Sequence, residues 1–406
     1  MDFSEIELDD EHRRLRDDVR AFVAEYFTPD VYEQEHRTGD GFNETIHRAL
    51  GERGWIFPTW PREKGGAGLG RLGARIIELE LHKAQFIMVV LGTTRLVAGA
   101  VEMFGNPDVR DDLLLAAARG EVRFCLGYTE PDGGSDIAGA KTKAIRDGDR
   151  WVINGSKMFT TGAHLSQYTF LIARTDPTLP KHKGLTMFLV PLDAPGIEIQ
   201  ELKGFSGERT NIVYYDDVVV DDVYRLGEVN GGWAVLHGPL DKEHSIGRSQ
   251  GDGLDDLTMG VNFLRHLVAS FGDVLAWADG GDRSGAERRG GDSAVLERIG
   301  RIIARTEAAL VTPGPAGRVA GSEVLVDSAA ELLDLVGLES LVQRGGEDAI
   351  GDGHLEWLHR YAQGTATYAG TVEVFRTIIA QHALGLPRPQ YPGSRVFGVA
   401  PTSAIA

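Results

Sequence analysis

A chain of 406 residues is long enough to bury two or three lobes of core, and 42% apolar with 25% charged residues is ordinary for a globular protein in water. Its formal charge of −18 argues against nucleic acid or an anionic membrane as main partner, because phosphates are repelled; a phosphate-bearing ligand needs only local N–H and Arg groups. The one cysteine, Cys125, excludes an intrachain disulfide and a cysteine-rich metal site, and with neither an apolar leader nor a run of about 18 apolar residues the chain reads as cytoplasmic.

The first third reads helical. Leu15, Val19, Phe22, Val23 and Phe27 recur at helical spacing, and Pro29 follows as a stop. Gly65-Gly66-Ala67-Gly68 breaks the pattern before a second long helical region, Arg75 to Val97. From Phe124 the runs shorten. Trp151-Val152-Ile153, Thr169-Phe170-Leu171-Ile172, Met187-Phe188-Leu189-Val190 and Val218-Val219-Val220 have strand character, with turns expected at Asp147-Gly148-Asp149 and Asn154-Gly155. After Gly231-Gly232-Trp233 helical periodicity returns and runs to Leu386, with Gly280 to Asp292 as an exposed helix–helix connection. Helices, a β unit and helices again predict an α+β fold. Its expected parts are an N-terminal all-α domain (1–123), a central β domain (124–230), a C-terminal α-helical domain (231–390) and a tail (391–406).

Three segments carry chemistry. Tyr128-Thr129-Glu130-Pro131-Asp132-Gly133-Gly134-Ser135-Asp136-Ile137-Ala138-Gly139 sets glycines and small hydroxyls among carboxylates, so backbone N–H groups can meet a phosphate without a side-chain wall. Lys157-Met158-Phe159-Thr160-Thr161-Gly162 offers an aromatic ring flanked by hydroxyls, as a flat heterocycle requires, and Gly370-Thr371-Val372-Glu373-Val374-Phe375-Arg376 is a small-residue turn entering a helix. Gly134 to Thr142 nearly spells a P-loop, but Ala140 stands where lysine should follow Gly139. His354 and His359 lack the spacing of a zinc helix, so no metal is expected.

In this order the three segments resemble the acyl-CoA dehydrogenase family of flavoenzymes, and the resemblance runs nearly the whole chain, from residue 5 to residue 390. It implies a helical domain, a β-barrel-like middle and a helical bundle, with FAD as cofactor, acyl-CoA as substrate and an electron-transfer flavoprotein as acceptor. By resemblance Leu126, Tyr128 and Thr129 lie along the isoalloxazine, with Thr129 on its pyrimidine edge. Gly134 and Ser135 belong to the loop shared by the flavin pyrophosphate and the CoA-side phosphates. Phe159 stands where the family usually has Trp over the ring, Thr161 where a hydroxyl nears the flavin N5, and Thr371 approaches from the C-terminal domain. The plain alternative makes Thr129, Phe159 and Thr161 ordinary loop and strand residues.

Desaturating an acyl thioester removes an α proton while the β hydrogen leaves as hydride, so a carboxylate must sit over the α carbon in a desolvated slot. Many family members place that glutamate directly before the C-terminal Gly-Thr, where this chain has Ala369. A second branch places it just after the middle domain. Leu240-Asp241-Lys242-Glu243-His244 matches that segment, with Glu243 as base and His244 for the usual Arg beside the substrate. The alternative for Glu243 is a solvent-facing carboxylate in a charged helical turn. By resemblance Ala369 and Gly370 still line the substrate, the Ala369 N–H polarising the thioester carbonyl, with Ser135 on the CoA side.

Two family segments that complete a neighbour's flavin site are eroded. Arg-x-x-Phe-Gly survives as Ala269-Ser270-Phe271-Gly272 without its Arg, and Gln-x-x-Gly-Gly as Asp334-Leu335-Val336-Gly337-Leu338. Asp would repel a pyrophosphate and Leu would block close backbone approach. The pattern resembles the heteromeric branch of the family, in which a sister subunit completes an α2β2 assembly acting on steroid side-chain CoA esters. A homotetramer with a repositioned Arg, a catalytically silent partner subunit and an acyl-CoA oxidase are the other readings.

Overall fold

The computed structural model describes residues 7–86, 88–243, 259–280 and 292–387, with the backbone alone for 238–243. Helix α1 (Asp10–Tyr26) starts where the Asp9 carboxylate accepts from the His12 N–H, and it buries Val19 and Phe22. Pro29 opens the next helix, α2 (Pro29–Thr38), at a position where its missing N–H would have had no helical partner. Asn43 caps α3 (Glu44–Glu52). The single helical region expected from Arg75 to Val97 is in fact two helices, α4 (Arg71–Lys83) and α5 (Val89–Phe104). Between them Gln85 takes φ +54° and the Ala84 carbonyl accepts from the Tyr32 hydroxyl. Apolar periodicity runs across such a break and hides it. Helix α6 (Pro107–Ala118), capped by Asn106, completes the N-terminal set.

The chain then enters one eight-stranded sheet: β1 (Phe124–Gly127), β2 (Lys143–Asp147), β3 (Arg150–Lys157), β4 (Tyr168–Arg174), β5 (Leu185–Pro191), β6 (Ile197–Lys203), β7 (Arg209–Asp221) and β8 (Arg225–Leu226). The order is β6-β7-β3-β2-β4-β5-β8, with β1 parallel on β4. β6 and β8 are its two ends, so the sheet is not a closed barrel and the barrel-like expectation holds loosely. Asp147-Gly148-Asp149 is the β2–β3 hairpin turn. Asn154-Gly155 is not a turn. It runs through β3 opposite a bulge in β7, where Asp216 and Asp217 face the single Asn154; Asn154 bonds the Asp217 side chain and N–H at 2.9 Å, and a Cβ on Gly155 would meet Thr142 at 2.6 Å. Cys125, in β1, is fully buried, and burial pushes its thiol up to about 12.

Among the described residues six α-helices follow: α7 (Gly232–Glu243), α8 (Met259–Ala278), α9 (Ser293–Leu310), α10 (Gly314–Val336), α11 (His354–Thr365) and α12 (Val372–Ile378). The connection expected at Gly280 to Asp292 falls mostly outside the described residues. α8 and α10 cross backbone to backbone. A Cβ on Gly260 would meet the Gly317 carbonyl at 2.3 Å, and one on Gly321 would meet Gly260 at 2.6 Å. Around that crossing Leu264, Leu267, Leu325, Leu332 and Leu358 are buried, each contributing roughly 1.5–3 kcal/mol over an exposed leucine. Among the described residues no helix is long and apolar enough to cross a membrane.

Candidate active site

The chain leaves β1 through Tyr128 and Thr129 into the glycine-rich loop, whose shape is fixed from within by Glu130. That carboxylate accepts from the Lys141 N–H at 2.7 Å, the Thr142 N–H at 2.9 Å and Lys157 Nζ at 2.8 Å. Lys157, fully buried at the end of β3, also donates to the Tyr128 carbonyl at 3.2 Å. Burial pushes the Lys157 ammonium down to about 8 against the pull of Glu130. Burial also raises the Glu130 carboxyl, but Lys157 and two backbone N–H groups hold it below its usual range. At 2.8 Å the two are placed as an ion pair. The pair cross-links the two loops, and the Met158 N–H adds a bond to the Thr129 carbonyl at 2.9 Å.

The outer part of the loop is tied at the surface by Asp132–Lys141 and Asp136–Lys181, both 2.7 Å. Gly134 and Ser135 are exposed, and a Cβ on Gly134 would touch only the Thr129 methyl, at 3.9 Å. The chain's own packing does not demand glycine there. Close approach of a phosphate to such a backbone is what would require it.

Phe159, just past β3, has φ +58° and is 58% exposed. Backbone strain of this kind costs on the order of 1–3 kcal/mol and collects at functional sites. Buried Thr160 holds the strain from behind: its N–H donates to the Asn211 carbonyl at 2.9 Å, and its carbonyl accepts from Asn211 Nδ2 at 3.0 Å. Thr161 Oγ1 donates to Thr210 Oγ1 at 3.0 Å. Ala369, between α11 and α12, is strained likewise at φ +48°. Of the seven described non-glycine residues with positive φ, four are Asn or Asp, which tolerate it; Phe159, Ala369 and Gln85 are the others.

Both strained segments reach the β6–β7 hairpin. Thr210 holds Thr161. Glu208 accepts from the Tyr368 hydroxyl at 2.6 Å and from Ser206 at 2.9 Å, and the Phe205 carbonyl accepts from Arg360 at 2.7 Å. The N-terminal helices reach the same place, with the Arg209 N–H donating to the Gly39 carbonyl at 2.8 Å and His164 Nε2 2.9 Å from Asp40. Burial raises the Glu208 carboxyl and lowers the His164 imidazole. Glu35, accepting from the Gly41 N–H at 2.9 Å, is pushed up to about 7 by burial, helped by the charges of Asp40 and Glu208.

The structure thus joins Tyr128 and Thr129 to the Phe159 segment, and links Thr161 to the Ala369-Gly370-Thr371 turn through the hairpin. Leu126 and Tyr128 are half-buried against the N-terminal core, with the Tyr128 ring 5.8 Å from Phe170. Thr371 caps α12, accepting from the Val374 N–H at 3.3 Å. Glu243 is the last residue of α7 with its side chain outside the described residues, and His244 lies outside them altogether. Asp334 pairs with Arg298 at 2.7 Å, which offsets part of its repulsion, and Leu338 is 84% exposed. Sequence reasoning missed Lys157 as a cross-link, although a lysine on the inward face of β3 with Trp151 and Ile153 calls for a buried partner. It also missed Glu208 and Tyr368, whose pairing spans 160 residues and leaves no local signal.

Residues 9–121 match the family model for the acyl-CoA dehydrogenase N-terminal domain, and residues 125–222 match that for the acyl-CoA dehydrogenase middle domain. The chain is 30% identical to acyl-CoA dehydrogenase FadE29 of Mycobacterium tuberculosis, over 94% of this chain and 99% of that one. Among solved structures it is similar to the ChsE4–ChsE5 complex of Mycobacterium tuberculosis, with 27% identity, TM-score 0.80 and coverage of 95% of this chain and 100% of that chain. It is similar also to the Tcur3481–Tcur3483 steroid ACAD, with 27% identity, TM-score 0.81 and coverage of 96% and 100%.

Proposed function

The chain belongs to the acyl-CoA dehydrogenase family of FAD-dependent oxidoreductases, and on that footing we propose that it desaturates the α,β bond of a CoA thioester with a steroid-like acyl group. The observation that carries the reading is the convergence of the strained Phe159 and Ala369 segments on one hairpin, beside a loop whose Gly134 has no packing role of its own. These residues fit FAD. Phe159 offers an exposed ring as cover, Thr129 and Thr161 offer hydroxyls for the ring edge, with Leu126 and Tyr128 alongside, and Gly134 and Ser135 offer N–H groups to a pyrophosphate. FAD, when bound, supplies the acceptor for the β hydride. In this reading Glu243 takes the α proton and the Ala369 N–H donates to the thioester carbonyl. Gly370 and Ser135 line the substrate, Thr371 meets the cofactor from the third domain, and His244 lies on the CoA side. The domain limits 1–123, 124–230 and 231–390 belong to the same reading, as does an electron-transfer flavoprotein as acceptor.

The acyl class and the assembly rest on two supports. One is the likeness to the ChsE4–ChsE5 complex and to the Tcur3481–Tcur3483 steroid ACAD, both two-component assemblies. The other is the erosion at Asp334, Leu338 and the missing Arg, which leaves two copies of this chain short of contacts to each other's flavin. A charge-assisted bond to phosphate is worth roughly 1.5–3 kcal/mol, so FAD affinity falls on the order of tenfold to a hundredfold without it. The expected outcome is that the chain expressed alone is poorly soluble or nearly colourless. Co-expressed with a sister chain that carries the Arg and Gln-x-x-Gly-Gly segments, it forms a yellow α2β2 complex with about two FAD per four chains. A lone, fully active homo-oligomer with one FAD per chain would refute the heteromeric part. Ala369 in place of the usual glutamate favours a second reading, a silent partner, which the Glu243 experiment below separates.

A further inference from the structure

Arg318 sits inside α10, 2% exposed, among small and apolar neighbours. Its guanidinium lies between the rings of Phe263 and Phe375, 5.2 and 5.3 Å from their centroids. Nη1 donates to Ser322 Oγ. Nη2 reaches three carbonyls, those of Thr365 at 2.9 Å, Tyr368 at 2.7 Å and Gly370 at 3.0 Å. Ser322 Oγ donates to the Thr365 carbonyl at 3.0 Å and steadies the fork. Burying a cation is unfavourable unless it is well bonded, and here all three Nη2 bonds go to carbonyls of one segment, 365–370.

The consequence for that turn follows from peptide geometry. A trans peptide points its carbonyl and the following N–H in opposite directions. With the Tyr368 carbonyl drawn inward to Arg318, the Ala369 N–H is turned outward. With the Gly370 carbonyl drawn inward, the Thr371 N–H is turned outward too. Among the described residues neither N–H meets an acceptor. Ala369 at φ +48° is the left-handed residue that lets both carbonyls face the guanidinium. Outward N–H groups backed by a buried cation make a preorganised donor for an oxygen that gains negative charge.

We propose that Arg318 is the positioning residue of this donor: it holds the Ala369 N–H toward the thioester carbonyl and so sets how strongly that carbonyl is polarised. The assignment rests on the acyl-CoA reading above. Arg318 touches no reacting atom and acts through the Tyr368 and Gly370 carbonyls. Its signature is therefore the polarisation of the bound thioester rather than the affinity for it.

In the test, the protein in its FAD-loaded form, co-expressed with the sister chain where it needs one, binds cinnamoyl-CoA labelled with 13C at the thioester carbonyl, and difference infrared spectroscopy reads that stretch. Steady-state kcat and KM are measured with 3-phenylpropionyl-CoA. Wild type is expected to move the band below its position in water. In Arg318→Met the shift shrinks and kcat drops about 10²–10³-fold with KM little changed, the range for loss of a preorganised donor. Arg318→Lys keeps the charge without the planar fork and falls between the two. Ser322→Ala, milder and safer for folding, moves the band in the same direction by less. A wild-type band shift and kcat retained in Arg318→Lys and Ser322→Ala overturn the assignment alone. A wild-type complex that shifts no band and oxidises neither 3-phenylpropionyl-CoA nor a steroid side-chain CoA ester overturns the functional reading, and this assignment with it.

Discussion

A general base acts through its lone pair, so its removal need not change shape. Glu243→Gln keeps size and hydrogen bonding and loses basicity. Turnover is expected to fall by at least ~10²-fold, within the 10²–10⁴ range of positioned bases, while flavin absorbance per chain stays constant. Near-normal turnover would remove Glu243 from the mechanism. Loss of flavin without loss of turnover per flavin would place it in folding instead. What the sequence showed at this scale was chemical type in local order: hydroxyls near 129 and 161, an aromatic at 159, and an alanine where a base is usual at 369. Backbone strain at Phe159 and Ala369 was not visible, because φ is imposed by partners such as Asn211 and Arg318 that lie far off in the chain.

Between elements, the Glu130–Lys157 pair decides whether two loops act as one. Lys157→Met leaves a buried carboxylate facing two N–H groups without its cation, a loss of about 3–5 kcal/mol. The midpoint of thermal unfolding is expected to drop by several degrees, and the flavin content to drop with it. Adding Glu130→Gln to Lys157→Met should restore part of the midpoint, since the uncompensated charge is gone; strict additivity of the two losses would show that the pair is not coupled. Element types were legible wherever periodicity was strong, as in β4, β5 and α1. Two boundaries were not. The α4–α5 break depends on Tyr32 reaching Ala84, and the continuation of β3 through Asn154-Gly155 depends on Thr142 and on the β7 bulge at Asp217, so both are settled by tertiary partners.

Across the whole molecule, three sets of elements meet at the β6–β7 hairpin, and the meeting point is rich in carboxylates. Glu35, raised to about 7, binds its proton more tightly folded than unfolded, so the stability it contributes is present below its ordinary 4.5 and is lost as pH rises through 7. Buried histidines work in the opposite direction. Burial holds His47 at about 4 and His266 at about 3, so their share of stability is present above the usual 6.5 and is lost as pH falls toward those values. Thermal midpoints taken from pH 5 to pH 8 should therefore show Glu35→Gln gaining on wild type as pH rises. A midpoint difference that stays constant from pH 5 to pH 8, or that moves against the variant as pH rises, would show that Glu35 is not protonated at this junction. None of this junction was legible, since its partners come from residues 35–40, 164, 204–210 and 368.

Cys125 has one further consequence. The chain has a single thiol, sealed inside β1 with its ionisation pushed far above neutral pH, so the folded protein presents no thiolate to an electrophile. A cysteine introduced at an exposed position such as Val311 or Phe205 becomes the one reactive sulfur on the surface. Fluorophores or spin labels can then be attached there without deleting a native residue. Distances between subunits, which a single chain cannot supply, become directly measurable in the assembled complex.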